Sequence, residues 1–321
     1  MDFGDRMKAL WLGTWFLRPY YERECEMIYC ETPECAAEHA NAATLAFCMN
    51  GALTAGLEFR LMVQECQKRK VPVCWITCED PNGYLGFVRE AQVADFVFTC
   101  CRTMIPHYRR DCGHDRVYWL PLAASEALHQ PMPLAPDAAD LVLLGNHYAH
   151  WPAKVRLMET ILEPLLAAGR TLALHTYPVN QWPPEIAALN RGATSCYDVA
   201  RFYPEGRIAC GASCQAGAGI DDFPGTTMTS QRTFEALACA KPYLTVPSDA
   251  YESLGFRNGE HMAWVKSAPE ALDAFDILSG PEGNAMAERG RTFVMQHHTY
   301  RHRLERILDA VDGKAKPEEL E

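Results

Sequence analysis

Short, almost wholly apolar runs recur along this chain, each followed by an amphipathic stretch or by a cluster of Gly, Pro, Asn and Asp. Lys8 to Trp15, Ala43 to Met49, Val71 to Thr77, Asp95 to Cys100 and Val117 to Leu122 read as buried strands. Leu53 to Arg69 has helical periodicity, with Leu57, Leu61 and Cys66 near one face, and residues 103–112 suit a short helix. Residues 16–42 fit neither period. Residues 125–139 hold three prolines and no period, which predicts a linker. Beyond it the alternation restarts. Strands are expected at Asp140 to Asn146, Leu172 to His175, Arg207 to Cys210, 243–247 and 262–266. Helices are expected at Lys154 to Ala168, closed by Gly169, near 250–254, and from 269 to the end. Between them, 178–196 is irregular, Val199 to Pro204 reads as a helix end, and a Gly-rich loop spans 211–227. Strands alternating with helices predict parallel sheets covered on both faces. Ligands of such sheets bind beyond the carboxyl ends of the strands, so two facing halves predict a site in the cleft between them.

Composition adds limits. The chain has 321 residues, 48% hydrophobic and 22% charged, enough for two domains with cores of their own. A net charge of −11 disfavours broad electrostatic capture of nucleic acid, although Arg109-Arg110 and Lys68-Arg69-Lys70 offer a local basic track. No apolar run approaches a membrane span, and the N-terminus lacks the order of a signal peptide, so a cytoplasmic protein is expected. Cysteines inside strand-like runs, such as Cys74, Cys78, Cys100 and Cys101, then act as small hydrophobes. Cys25, Cys30, Cys35 and His39 carry donor types that suit zinc, but without a second tight pair or a zinc-ribbon pattern; zinc stays an open question. His298 and His302 are four apart with no Glu beside the first, which favours a packing helix over a metal site.

The most suggestive chemistry lies in Ser230-Gln231-Arg232-Thr233-Phe234-Glu235. Arg232 and Glu235 are three apart and share a helix face. A guanidinium can hold a phosphate and a carboxylate can accept hydrogen bonds from sugar hydroxyls, although an ordinary surface ion pair has the same spacing. The chain carries no G-x-G-x-x-G and no G-x-x-x-x-G-K-[ST], which argues against an ordinary NAD-dependent dehydrogenase or a P-loop NTPase.

Several segments, in order, resemble one family. Pro72-Val73-Cys74-Trp75-Ile76-Thr77-Cys78-Glu79-Asp80-Pro81 resembles its strand ending in Trp and an acidic-Pro turn. Ala94-Asp95-Phe96-Val97-Phe98-Thr99, Val117-Tyr118-Trp119-Leu120-Pro121-Leu122-Ala123, Arg232-Thr233-Phe234-Glu235-Ala236-Leu237-Ala238-Cys239, Gly259-Glu260 with Pro269 to Leu272, and His298-Thr299-Tyr300-Arg301-His302-Arg303 resemble others. Together they resemble the CgeB-like (spore maturation type) glycosyltransferases over most of residues 70–310. The resemblance implies a GT-B fold of two Rossmann-like domains facing across a cleft. The expected division is 1–124, an acceptor domain; 125–139, a linker; 140–295, a donor domain; and 296–321, a helix returning to the first domain.

The resemblance further implies a hexosyltransferase that moves a sugar from a nucleotide-sugar, a UDP-sugar, to an acceptor hydroxyl, with no cofactor; no D-x-D motif stands out, which agrees with a metal-independent mechanism. Glu235 corresponds to the acid that meets the ribose hydroxyls. Arg232, with Ser230 and the amides through Thr233, would hold the diphosphate at a helix N-terminus. Gly145 and Asn146 close the donor domain's first strand, and Tyr197 would border the nucleobase or simply pack. Gly13 and Thr14 close the chain's first strand, where they could approach the donor phosphates; a plain strand-ending turn is the rival reading. Asp80 and Glu79 are the candidate catalytic bases; a turn initiated by Asp80-Pro81 is the rival. The acid often found eight residues before the ribose Glu is here Thr227, which leaves the sugar unread; Asp221, Asp222 or the amides of 225–229 are the substitutes. The acceptor is open among a glycan, a protein, a small molecule and a hydroxymethylated DNA base. A sugar-nucleotide epimerase and a non-catalytic nucleotide-sugar-binding protein are the alternatives outside the transferases.

Overall fold

The computed structural model describes residues 7–13, 17–49, 57–147, 151–177, 181–215 and 227–316. The chain forms two compact units, Met1–Pro121 with Tyr300–Glu321, and Leu122–Thr299.

The first unit is built on a six-stranded sheet. In chain order its elements are β1 (Lys8–Leu12), α1 (Arg18–Tyr21), β2 (Glu26–Cys30), α2 (Pro33–His39), β3 (Leu45–Met49), α3 (Leu57–Lys68), β4 (Val73–Ile76), α4 (Tyr84–Ala91), β5 (Phe96–Thr99), α5 (Ile105–Cys112) and β6 (Val117–Trp119). The strand order is β2-β1-β3-β4-β5-β6 and every pairing is parallel. Because both faces are covered, the strands bury nearly every side chain: Leu45–Met49 and Val73–Ile76 show no exposed position. That explains why they read as continuous apolar runs. Residues 16–42, unassigned by periodicity, contain an edge strand. In β2, Glu26 faces solvent and only Cys30 is fully buried, so its pattern is weak. The final helix α13 (Tyr300–Val311) belongs to this unit. Tyr300 stacks on Tyr20 with centroids 4.6 Å apart, and the buried Arg303 donates from Nε to the Pro121 carbonyl at 2.7 Å.

The second unit carries β7 (Ala139–Leu144), α6 (Pro152–Leu157), α7 (Glu163–Ala167), β8 (Leu172–His175), α8 (Pro184–Ala187), β9 (Gly206–Gly211), β10 (Cys214–Gln215), β11 (Thr227–Met228), α9 (Gln231–Ala238), β12 (Tyr243–Thr245), α10 (Asp249–Ser253), β13 (Ala263–Trp264), α11 (Ala268–Leu278) and α12 (Pro281–His297). A π-helical turn, Met158–Leu162, joins α6 to α7 ahead of Pro164, which has no N–H to continue the helical ladder. The helix then stops at Gly169, whose φ of 80° few other residues adopt. The sheet order is β13-β12-β9-β7-β8, again wholly parallel, with β10 and β11 as a separate antiparallel pair. Leu141, Leu143, Leu157, Ile161, Leu174, Ile208 and Leu244 lie at the centre of its core. Gly206 allows β9 to pass close to β7, since a Cβ there would lie 2.5 Å from the Val142 amide nitrogen. Residues 125–139, expected as a linker, are part of this unit. His129 among them is wholly buried.

Each sheet has a point where chain order reverses, between β1 and β3 in the first and between β7 and β9 in the second. Crevices at the carboxyl ends of such strands are where open α/β sheets bind ligands. Gly13 follows β1 and Gly145 follows β7, so topology puts one glycine turn at each reversal.

Candidate functional site

The candidate site residues of the second unit lie at the end of β7, on the first turn of α6 and at the N-terminus of α9. At Gly145 φ is 147°, a conformation that favours glycine. Its N–H donates to His175 O at 2.9 Å and its carbonyl accepts from Trp182 Nε1 at 3.3 Å. Asn146 is fixed as well: its Oδ1 accepts from Thr176 Oγ1 at 2.8 Å and from the Tyr177 amide at 3.1 Å. It therefore braces the ends of β7 and β8. Lys154, on α6, is 8% exposed, and its Nζ lies 4.0 Å from the point a Cβ on Gly145 would occupy. The sequence pattern gives no sign of this cation, because lysine on an amphipathic helix reads as its solvated face.

Ser230 caps α9, its Oγ accepting from the Arg232 amide at 3.3 Å. The Thr233 amide donates to Ser230 O at 3.1 Å. Two amides expected to cradle a diphosphate are thus already engaged. The Thr233 side chain is also taken inward: it is fully buried and its hydroxyl donates to Tyr243 Oη at 3.2 Å. The core thus claims the hydroxyl, while the role expected of Thr233 was its amide's.

Arg232 and Glu235 form the centre of the site. Arg232 Nη1 donates to Glu235 Oε2 at 2.6 Å. The Arg232 side chain is 24% exposed, whereas that of Glu235 is 0% exposed. Tyr203 bridges the turn, its hydroxyl 3.2 Å from Arg232 O and 3.4 Å from Glu235 Oε2. On the other oxygen, His129 Nε2 lies 3.9 Å from Glu235 Oε1. His129 Nδ1 accepts from the Ser125 amide at 3.0 Å, which leaves the ring proton on Nε2, facing the carboxylate. Burial holds the His129 pKa below the ordinary value against the pull of Glu235. Neither His129, in a Pro-rich segment read as a linker, nor Tyr203 carried any local signal. A buried carboxylate with partners from three separate segments is not the surface ion pair that an i,i+3 spacing also allows. The carboxylate expected to meet a ribose is closed to solvent, and Arg232 is its partly exposed partner.

Tyr197 stands apart. It is 47% exposed in a turn closed by bonds from Ser195 N and Oγ to Asp198 Oδ1. Among the described residues, no hydrogen bond or ring contact ties it to α9. Thr14, Asp221, Asp222, residues 225–226 and most of the Gly-rich loop lie outside the described residues.

In the first unit, Asp80 is 1% exposed. Its Oδ2 accepts from Thr77 Oγ1 and Thr99 Oγ1, each at 2.6 Å, and its Oδ1 from Tyr108 Oη at 3.0 Å. It joins the ends of β4 and β5 to α5, and no acceptor hydroxyl can approach it. Its expected use as a base therefore does not fit, because burial and three hydroxyl donors commit both oxygens to the fold. The neighbouring Glu79 is exposed, and loss of hydration among its neighbours pushes its carboxyl above the ordinary range. Gly13, with φ of 92°, donates its N–H to Cys30 O at 3.4 Å.

Among the described residues no three His, Cys, Asp or Glu side chains are grouped to hold a metal ion. Cys25 Sγ is directed to the Tyr21 carbonyl. His298 also has a packing role: Nε2 lies 3.0 Å from Leu254 O and its ring packs on Phe234, Phe256 and Phe293. No helix among the described residues is long and apolar enough to cross a membrane.

Two parallel sheets, each with a reversal point and helices between its strands, define an α/β protein of two Rossmann-like domains. The model of the glycosyl transferase-like family matches residues 137–309, more than half of the chain, and the protein belongs to that family. No curated protein sequence matches it closely enough to count as a relative. Among solved structures, Anabaena Alr3699/HepE in complex with UDP and glucose is similar with a TM-score of 0.60 and 8% identity, covering 96% of this chain and all of its own. A glycosyltransferase from Rickettsia africae ESF-5 has a TM-score of 0.59 at 12% identity, covering 98% of this chain and all of its own. A UDP-N-acetylglucosamine 2-epimerase assigned in Listeria monocytogenes has a TM-score of 0.53 at 11% identity, covering 98% and 99%. At such identities the likeness speaks for the fold: two Rossmann-like domains, as in the GT-B glycosyltransferases.

Proposed function

We propose that the protein transfers a sugar from a nucleoside-diphosphate sugar, in the first instance a UDP-sugar, to an acceptor hydroxyl, without a metal ion and as a CgeB-like member of its family. The observation that carries the reading is the Arg232–Glu235 pair at the start of α9, one partner open to solvent and the other enclosed. On donor binding the Arg232 guanidinium turns from Glu235 to the diphosphate. One Glu235 oxygen is then free to accept a ribose hydroxyl. Tyr203 and His129 hold the carboxylate in place through the exchange. The charge that develops on the leaving diphosphate meets Arg232 and the positive end of α9, which is electrostatic stabilisation with no cation added. The similar Anabaena structure is a complex with UDP and glucose, which supports the choice of uridine nucleotides for the first test.

Glu79 is the proposed base, since it is the accessible carboxylate of its loop and its pKa is raised by burial, the direction that makes a carboxylate a stronger base. The experiment is a thermal-shift screen of nucleotides and nucleotide-sugars, followed by a transfer assay with and without chelator. A true donor at 100 times its Kd stabilises the protein by about 2.7 kcal/mol. Metal-rescued loss of activity in chelator refutes the metal-free mechanism. Conversion of the donor to an epimer with no acceptor present replaces the transferase reading with that of an epimerase.

A further inference from the structure

Cys30 ends β2, the edge strand of the first sheet, and is buried. Cys35 lies in the first turn of α2 and is half-buried, its amide held by Thr32 Oγ1 at 3.3 Å. The two Sγ atoms stand 2.6 Å apart, and Cys35 Sγ is also 3.4 Å from Tyr29 O. Unbonded heavy atoms settle at about 3.5–4.0 Å. The turn between β2 and α2 thus presses the thiols inside contact distance, and a shift of about 0.5 Å separates them from a bond of about 2.05 Å.

We propose that Cys30 and Cys35 are a modification site, an oxidisable dithiol that forms an intramolecular disulfide. The oxidant class is a small-molecule disulfide such as glutathione disulfide. Cys35, the accessible thiol, gives up its proton to solvent and attacks one glutathione sulfur; the S–S bond of glutathione breaks and one glutathione thiolate leaves. Cys30 then loses its proton and attacks Cys35 Sγ, expelling the second thiolate. Two protein thiols have lost two electrons and two protons, and one glutathione disulfide has become two glutathione molecules. The Cys30 carbonyl accepts the Gly13 N–H, so the same turn borders the first sheet's reversal point. The inference is independent of the transferase reading.

The test uses the full chain in glutathione buffers of graded ratio, alkylated with N-ethylmaleimide under denaturing conditions and digested after glutamate. Glu31 and Glu34 both lie between the two cysteines, so cleavage separates them unless a disulfide holds the peptides together. The expected result is a linked, unalkylated peptide pair, lighter than the reduced pair by two hydrogens, that disappears in Cys35→Ser. Because the link is read directly in the unsubstituted protein, poor folding of the variant leaves the test intact. Alkylation of both cysteines at every ratio, a glutathione adduct alone, or a link from either one to Cys25 or Cys66 overturns the proposal.

Discussion

Replacing Glu235 with Gln preserves the shape of the central carboxylate and removes its charge. Both oxygens of Glu235 face donors: Arg232 Nη1 and Tyr203 Oη on Oε2, and the Nε2–H of His129 on Oε1. An amide supplies one acceptor and one NH2. The 2.6 Å contact with Arg232 claims the acceptor, which turns the NH2 toward His129 at 3.9 Å, donor against donor. His129 cannot relieve this by shifting its proton, because Nδ1 accepts from Ser125. A hydrogen bond to a charged group contributes about 1.5–3 kcal/mol and a neutral one about 0.5–1.5, so the exchange costs roughly 1–2 kcal/mol. In a unit of this size each kcal/mol lowers Tm by about 2–4 °C, and a fall of about 2–8 °C is expected. The same change leaves the ribose a neutral acceptor in place of a charged one, a loss of about 1.4 kcal/mol, or tenfold in Kd for UDP. Calorimetric titration with UDP and differential scanning calorimetry read the two effects separately. A Gln variant with unchanged Tm refutes the enclosed network. One with lowered Tm and unchanged UDP affinity refutes the ribose role alone.

Three further outcomes are expected. Arg232→Ala weakens UDP by about tenfold or more while leaving uridine within about twofold, because only the diphosphate meets the guanidinium; equal losses for both ligands remove that assignment. Glu79→Gln lowers kcat by about 10²–10⁴ at constant donor affinity. In the unsubstituted enzyme, rate falls as pH drops through the raised Glu79 pKa, so the acid limb lies above the ordinary carboxylate range; a limb at the ordinary value counts against it. Asp80→Ala strands three buried hydroxyls and destabilises the protein by about 1–3 kcal/mol, readable as a lowered urea midpoint. Burial raises the folded Asp80 pKa above its unfolded value. Its contribution is therefore present below the unfolded pKa and lost as pH rises through the folded one, a dependence that Asp80→Asn, which cannot titrate, abolishes.

Much of the architecture is legible in the order of residues because parallel strands covered on both faces must be apolar throughout. Leu172 to His175 matches its strand end to end, and Val73–Ile76 falls inside the run from Val71 to Thr77. Gly169 marks a helix end for a different reason: few other residues adopt its φ. The edge strand β2 escaped because Glu26 to Tyr29 are at most partly buried, so no apolar run marks it, and helix α4 follows the breakers Pro81-Asn82-Gly83, which read only as a loop. The linker expected at 125–139 rested on three prolines, which report a missing helix but not a missing fold partner.

Sequence alone set Arg232 and Glu235 on one helix face with Ser230 at the helix N-terminus, since these depend on neighbours a few residues apart, and motifs in order along residues 70–310 pointed to a glycosyltransferase. Which of the two carboxylates in Glu79-Asp80 is reachable, and that Glu235 is enclosed by Tyr203 and His129 with only Arg232 open to solvent, are matters of burial. Burial is fixed by residues tens of positions away, Thr99 and Tyr108 for Asp80, His129 and Tyr203 for Glu235. No local pattern contains them, and only the packed structure decided what those side chains can do.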